Sequence, residues 1–292
     1  MTDNWNSRLP QYDPPLKQCP ACDSPGMRYA DRDFLGNTIS LCTQCRTKFM
    51  NPQYSDAYLR QYYSSYITPE SPARLAWRRL QKESHFDVLA RFSRSGRCLC
   101  VGCGDGLELR VAKAAGFDVE GYDVDMATTR AVMESVGARV HTGPFAGLNI
   151  PNDTYDCLYM DQVLEHLKNP QSYLRTARRL LKPNGILYVG LPNIGSVSCA
   201  LKTVLGKLGM KNATRGKHYG TRHHHLYFAP RQFANLLRTS YNFEVLSVAG
   251  DPPPSRGPLR TRVERQFPVL GSTFILIARK PSKAEPAAYM RE

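Results

Sequence analysis

The 292-residue chain contains no apolar run approaching the ~20 residues that a membrane-spanning helix requires. Its opening stretch, MTDNWNSRLPQYDPP, lacks the basic-then-apolar order of a secretory leader, so a cytoplasmic protein is expected. No internal repeat is visible, which removes repeat arrays from consideration. Acidic residues are scarce: 25 against 39 basic ones, a formal net charge of +14. The nine cysteines are an odd number in a long chain with no secretory leader, which argues against a disulfide framework. What remains is a globular composition, 42% hydrophobic and 10% aromatic.

The basic residues gather in 74–82, 175–182, 202–222 and 256–266. They read either as solvated helix faces or as a surface for an anionic partner: nucleic acid, a phosphate-bearing small molecule or an acidic membrane. Residues 1–15 and 281–292 read as flexible tails, 16–52 as a cysteine-bearing module and 53–95 as a helical connecting segment. In that segment Ser71 can cap a helix that starts with Pro72. From 96 to 280 the pattern alternates strand and helix over seven strands, which predicts an α/β fold with a doubly wound, mostly parallel sheet. The helix PQSYLRTARRLLKPNG is expected to stop at Gly185.

LCVGCGDGLEL places Gly102, Gly104 and Gly106 between a strand and a helix. Such a loop turns sharply and lets backbone N–H groups approach a ligand at a helix N-terminus. A dinucleotide fingerprint would want glycine at position 107, where this chain has Leu107. The next strand ends at Asp123, 21 residues beyond Gly102, where a carboxylate can accept both ribose hydroxyls of an adenosine.

These residues resemble the class I S-adenosylmethionine-dependent methyltransferases, a Rossmann-like fold. LCVGCGDGLEL resembles the first motif of that family, GYDVD its ribose-binding strand end, YDCLYMDQVLEHLKNP its fourth motif, and RRLLKPNGILYVGLPN the segment through strand five. The resemblance implies that Gly102, Gly104, Asp105 and Gly106 hold the methionine portion of the cofactor. By the same resemblance Asp123 and Val124 hold the ribose, and Asp161 and Gln162 border the transferred methyl. After strand three, HTGPFAGL has no acidic residue for the adenine amino group, so backbone and apolar contacts, Phe145 included, take that role.

A general base is needed only where the acceptor must lose a proton. The histidine-rich segment GKHYGTRHHHLYFAP, after strand five, offers His218, His223, His224 and His225. His225 fits best by resemblance, with His224 and then His166 of VLEHL as further catalytic candidates. Solvent exposure, adventitious metal binding or helix packing would equally account for such histidines.

CPAC and CTQC place Cys19 and Cys22 against Cys42 and Cys45 at the spacing of a closed four-thiolate site, normally structural zinc, with iron the alternative. The other five cysteines read as core thiols. The ribbon followed by the methyltransferase core resembles a group that includes sugar C-methyltransferases, in which the segment bearing Tyr62, Tyr63 and Tyr66 can cover the substrate. A tyrosine-rich helix packed on the core is the plainer reading of those three. An insertion at 195–225 carries an amphipathic helix, Val197, Leu201, Val204, Leu205 and Leu208 on one face. It reads as a lid packed on the protein or, over 196–211, as a membrane-surface contact. The function expected is methyl transfer to a small, anionic acceptor such as a nucleotide-linked sugar, a glycan or a secondary-metabolite precursor. The alternatives are RNA methylation and a non-catalytic scaffold.

Overall fold

The structure is a computed structural model that describes residues 9–64, 71–208, 216, 219 and 223–282. Tyr66, His218, most of the two tails' outer residues and part of the 195–225 insertion lie outside the described residues.

The main sheet is built from β4 (Gly96–Val101), β5 (Phe117–Tyr122), β6 (Arg139–His141), β7 (Tyr155–Asp161), β8 (Leu181–Pro192), β10 (Glu244–Gly250) and β11 (Thr273–Arg279). Their spatial order is β10-β11-β8-β7-β4-β5-β6. β4, β5, β6, β7 and β8 pair in parallel, and β11 lies antiparallel to both β8 and β10. The chain therefore has the mostly parallel, seven-stranded α/β architecture expected. The order reverses direction at β4, so the carboxyl ends of β4 and β7 flank the crevice where such sheets bind ligands.

Alternation along the central strands divides the core into two layers. Leu99, Val101, Leu158, Met160, Leu187 and Val189 face one layer. Cys98, Cys100, Cys157, Tyr159, Ile186 and Tyr188 face the other. Four of the five scattered cysteines, Cys98, Cys100, Cys103 and Cys157, are buried, and Cys199 is partly so.

The helices follow from their caps and faces. α1 covers Asp56–Ser64 and α2 Pro72–Leu89. The Ser71 hydroxyl accepts the Arg74 N–H at 3.3 Å, with Pro72 in the first turn. α3 (Leu107–Ala114) and α4 (Met126–Val136) follow β4 and β5. α5 (Pro170–Leu180) is capped by Asn169 and buries Leu174, Ala177 and Leu180 on one face. It stops five residues before Gly185, because Leu181 already pairs with Tyr155 in the sheet. α6 (Val197–Lys207), α7 (Pro230–Tyr241) and α8 (Pro258–Gln266) complete the set. α8 arises from a stretch that the sequence marks only as basic.

The cysteine module forms β1 (Met27–Arg32), β2 (Thr38–Cys42) and β3 (Lys48–Met50). Its antiparallel sheet does not end at residue 52. β3 pairs with β9 (Leu226–Tyr227), so that Phe49 faces Leu226 in the register. Cys19, Cys42 and Phe49 share one hydrophobic core with Leu226, Phe228 and Phe233. The module has too few apolar residues to close a core alone and borrows one from the large domain.

α6 departs from one of its two readings. The stripe read as packing on the protein is turned outward: Val197, Leu201, Val204 and Leu208 are each more than half exposed. No described helix is long and apolar enough to cross a membrane.

Candidate functional site

Between β4 and α3 the chain turns through Gly102, Gly104 and Gly106, all with positive φ. At Gly102 a Cβ would stand 2.7 Å from Val163 Cγ2, so only glycine closes this turn. At Gly104 no atom lies within 4 Å of the Cβ position, and the backbone faces open space. The Gly104 N–H donates to Asp123 Oδ2 at 2.9 Å, and the Asp125 N–H donates to Oδ1 at 3.1 Å. Strand ends β4 and β5 thus bring the glycine loop and Asp123 together, as the sequence implied. Val124, next to Asp123, is 69% exposed.

Asp105 points from the loop toward α2, where Arg78 grips it with two bonds of 2.9 and 3.1 Å. Burial opposes ionisation of Asp105, but the Arg78 bonds and charge hold its carboxyl below the ordinary range. Phe145 is buried. It stacks on Tyr173 at 4.7 Å and packs against Tyr122, whose hydroxyl donates to the Gly143 carbonyl at 2.7 Å. This aromatic wall stands beside the β6 end where the adenine was expected.

Asp161 ends β7 with its side chain 4% exposed. Lys82 of α2 reaches it at 2.5 Å and reaches Glu108 of α3 at 2.9 Å. Burial works against the charged form of Asp161, and Lys82 and His85 more than offset it, so its carboxyl lies below the ordinary range. The second oxygen, Oδ1, has no hydrogen-bond partner. It fills the space beside Gly190, where a Cβ would come within 2.0 Å of it. His85, fully buried, meets the Tyr159 hydroxyl through Nδ1 at 2.8 Å and Asp251 Oδ1 through Nε2 at 3.1 Å. Gln162 takes a positive φ of 55° and donates its N–H to the Gly190 carbonyl at 3.0 Å.

A third group follows β7. His166 sits in a short 3-10 turn, Leu164–His166. Its ring stacks on His223 at 4.7 Å and meets His224 edge-on at 4.8 Å. Tyr62 of α1 joins them, its hydroxyl 2.9 Å from His223 Nδ1. Burial pushes His223 and His224 down to about 4, so both are neutral imidazoles at pH 7. Glu165 is 1% exposed, and neither carboxylate oxygen has a hydrogen-bond partner. Burial pushes its carboxyl up to about 8.

His225 stands apart from this group. Its ring is fully buried, tilted against Tyr54 at 6.0 Å, and neither ring nitrogen is hydrogen-bonded. Its backbone is in use on both sides: the N–H donates to the Glu165 carbonyl at 2.7 Å, and the carbonyl accepts the Met50 N–H at 2.9 Å. It ties the ribbon to the turn after β7.

Sequence reasoning missed Lys82, His85, Glu108, Glu165 and Asp251. The available signal was the spacing on α2, where Arg78, Lys82, His85 and Leu89 fall on one helical face. The surrounding RLAWRRLQK stretch reads as merely basic. Nothing in VLEHL distinguishes a buried glutamate from a solvated one.

The four ribbon thiols converge. Cys19 and Cys45 Sγ lie 3.7 Å apart, Cys22 and Cys42 Sγ 3.6 Å, and all four lie within 4.8 Å of one another. Zinc–thiolate bonds of about 2.3 Å in a tetrahedron require sulfur–sulfur edges of about 3.8 Å. The thiols fit such an ion.

Residues 75–248, more than half of the chain, match a family described as a methyltransferase domain. The ubiquinone biosynthesis O-methyltransferase of Caulobacter vibrioides is 29% identical over 204 residues, 64% of this chain and 72% of its own length. The protein of the same name from Xanthomonas campestris pv. campestris is 29% identical over 191 residues, 62% of this chain and 77% of its own. Among solved structures, an S-adenosylmethionine-dependent methyltransferase of Thermotoga maritima superposes with a TM-score of 0.50 at 16% identity, covering 77% of this chain and 96% of that one. A chain from a complex of the Haloferax volcanii Trm112 methyltransferase activator with a methyltransferase gives 0.51 at 15% identity, covering 70% and 91%. These two structures share the fold.

Proposed function

Because this chain belongs to the class I S-adenosylmethionine-dependent methyltransferases, we propose that it methylates an oxygen of a small, anionic biosynthetic intermediate. The observation that carries the reading is the junction of Gly104 with Asp123 at the carboxyl edge of the sheet, one strand away from the Glu165 and histidine group. The residues present fit the cofactor: the backbone at Gly104 is open, Val124 is exposed and Asp161 Oδ1 lacks a partner. When bound, S-adenosylmethionine supplies an activated methyl group, so the protein mainly aligns donor and acceptor.

In this reading Asp123 holds the ribose hydroxyls, the loop from Gly102 to Gly106 takes the methionine portion, and Phe145 with its aromatic neighbours bounds the adenine. Lys82 and Glu108 fix Asp161 and keep the wall beside Gln162 rigid. His166, His223 and His224 face the acceptor, and Tyr62 closes it from α1. His225 is a positioning residue that sets this wall through its backbone. The name shared by the curated relatives supports an oxygen acceptor, and the +14 charge supports an anionic one. Zinc in the four-thiolate site belongs to the same reading, supported by the sulfur spacing. So does contact of α6 with an acidic lipid surface, supported by its outward apolar stripe.

The test is mass spectrometry of cell extracts incubated with the protein and isotopically methyl-labelled cofactor. A labelled small molecule is expected. Label found only in RNA, together with RNA affinity that falls steeply with salt, would overturn the acceptor class.

A further inference from the structure

We propose that His166, His223 and His224 form a second metal site, separate from the ribbon, that binds a late first-row divalent cation such as zinc. Their ligand atoms lie within 4.8 Å of one another, although the rings come from two distant segments. His166 follows β7, whereas His223 and His224 precede β9. The ring contacts of 4.7, 4.8 and 5.3 Å put all three imidazoles around one point.

A second observation points to a cation there. Glu165 is 1% exposed, with neither oxygen hydrogen-bonded, and its Oε1 stands 3.8 Å from His166 Nε2. A buried carboxyl without any partner is costly. A dication held by the adjoining imidazole gives those oxygens a partner.

The rings are also oriented from outside, as metal-bound imidazoles are. His166 Nδ1 meets the His223 carbonyl at 3.2 Å, which fixes that ring with Nε2 3.8 Å from Glu165 Oε1. His223 Nδ1 meets the Tyr62 hydroxyl at 2.9 Å. Three imidazoles suit zinc, copper or nickel and do not suit magnesium or calcium, which take oxygen ligands. Three protein ligands leave one position of a tetrahedron open. The ribbon, with four thiolates, has no such position. An oxygen-bearing ligand is the chemical class that the open position takes.

The full-length protein is equilibrated with excess zinc and freed of loose metal by gel filtration. Metal content and X-ray absorption are then measured. Wild type is expected to retain about two equivalents, with a shell that mixes sulfur and nitrogen. His224→Ala, at a half-buried position, is expected to retain about one, with an all-sulfur shell and a circular-dichroism spectrum like that of wild type. Glu165→Gln keeps the shape and replaces one carboxyl oxygen by an amide nitrogen, and it is expected to weaken the second zinc at least tenfold. A wild type that stops at one equivalent in an all-sulfur shell overturns the proposal, and so does a folded His224→Ala that keeps two. Calorimetry with S-adenosylmethionine on the same samples reads the cofactor site independently, because Gly104 and Asp123 do not touch the ion.

Discussion

Asp123 reaches from the end of β5 to the glycine loop after β4, where its Oδ2 accepts the Gly104 N–H at 2.9 Å. One carboxylate therefore spaces two strand ends and presents charge at the mouth of the crevice. Asp123→Ala is expected to weaken S-adenosylmethionine binding about 10- to 100-fold, since bonds to a charged acceptor contribute about 1.5–3 kcal/mol each. Isothermal titration calorimetry measures this, and equal affinities would remove Asp123 from the cofactor site.

Lys82 joins two buried carboxylates, and removing it leaves both uncompensated. Lys82→Met is expected to destabilise the fold by about 3–5 kcal/mol, the usual cost of breaking a buried pair from one side. Urea unfolding monitored by circular dichroism reads it. A midpoint within error of wild type would show that the pairing contributes nothing net.

The same pair sets an acid response. Asp161 is held below the ordinary carboxylate range in the folded state, so it binds a proton more readily when unfolded. Its contribution to stability is complete above the unfolded pKa of about 3.9 and is lost as pH falls through the depressed folded value. Asp161→Asn is expected to flatten the acid limb of the stability curve between about pH 4 and the acid-unfolding point. Thermal melts across that range test it, and an unchanged slope counts against the assignment.

Removing the ribbon metal with a strong chelator, or replacing Cys42 by Ser, is expected to lower the melting temperature of the whole protein. Zinc binding in such sites contributes about 10–16 kcal/mol to folding, and Cys42 shares the core of Leu226 and Phe233. Differential scanning calorimetry distinguishes the outcomes. Loss of a small early transition with the main one unmoved would mean that the ribbon is thermodynamically separate.

The outward stripe of α6 predicts co-flotation with vesicles rich in anionic lipid. Leu201→Glu with Val204→Glu is expected to abolish it while leaving cofactor affinity intact, because both side chains are more than half exposed. Equal flotation of variant and wild type would assign the stripe another purpose.

The main sheet was legible because its signals are local. Period-two apolar strands, glycine stops and caps such as Ser71 and Asn169 act within a few residues. The glycine loop and Asp123 were legible for the same reason, as they lie at adjacent strand ends with a set spacing. Lys82 was not. Its meaning depends on Glu108 and Asp161, which are 26 and 79 residues away in sequence and only meet once α2 docks. Glu165 stayed hidden because burial is a tertiary property of the turn after β7. The length of α5 was overestimated because sheet pairing of Leu181 with Tyr155 outcompeted helix propagation.

The pairing of β3 with β9 reaches further than its two residue pairs suggest. The strand that follows the histidines is an edge strand of the N-terminal sheet, so that wall is braced by residues among the first fifty. Swapping N-terminal segments between homologous enzymes would therefore change the shape of the acceptor side while leaving the cofactor side alone. In such hybrids, specificity would travel with a piece of protein that touches neither reactant.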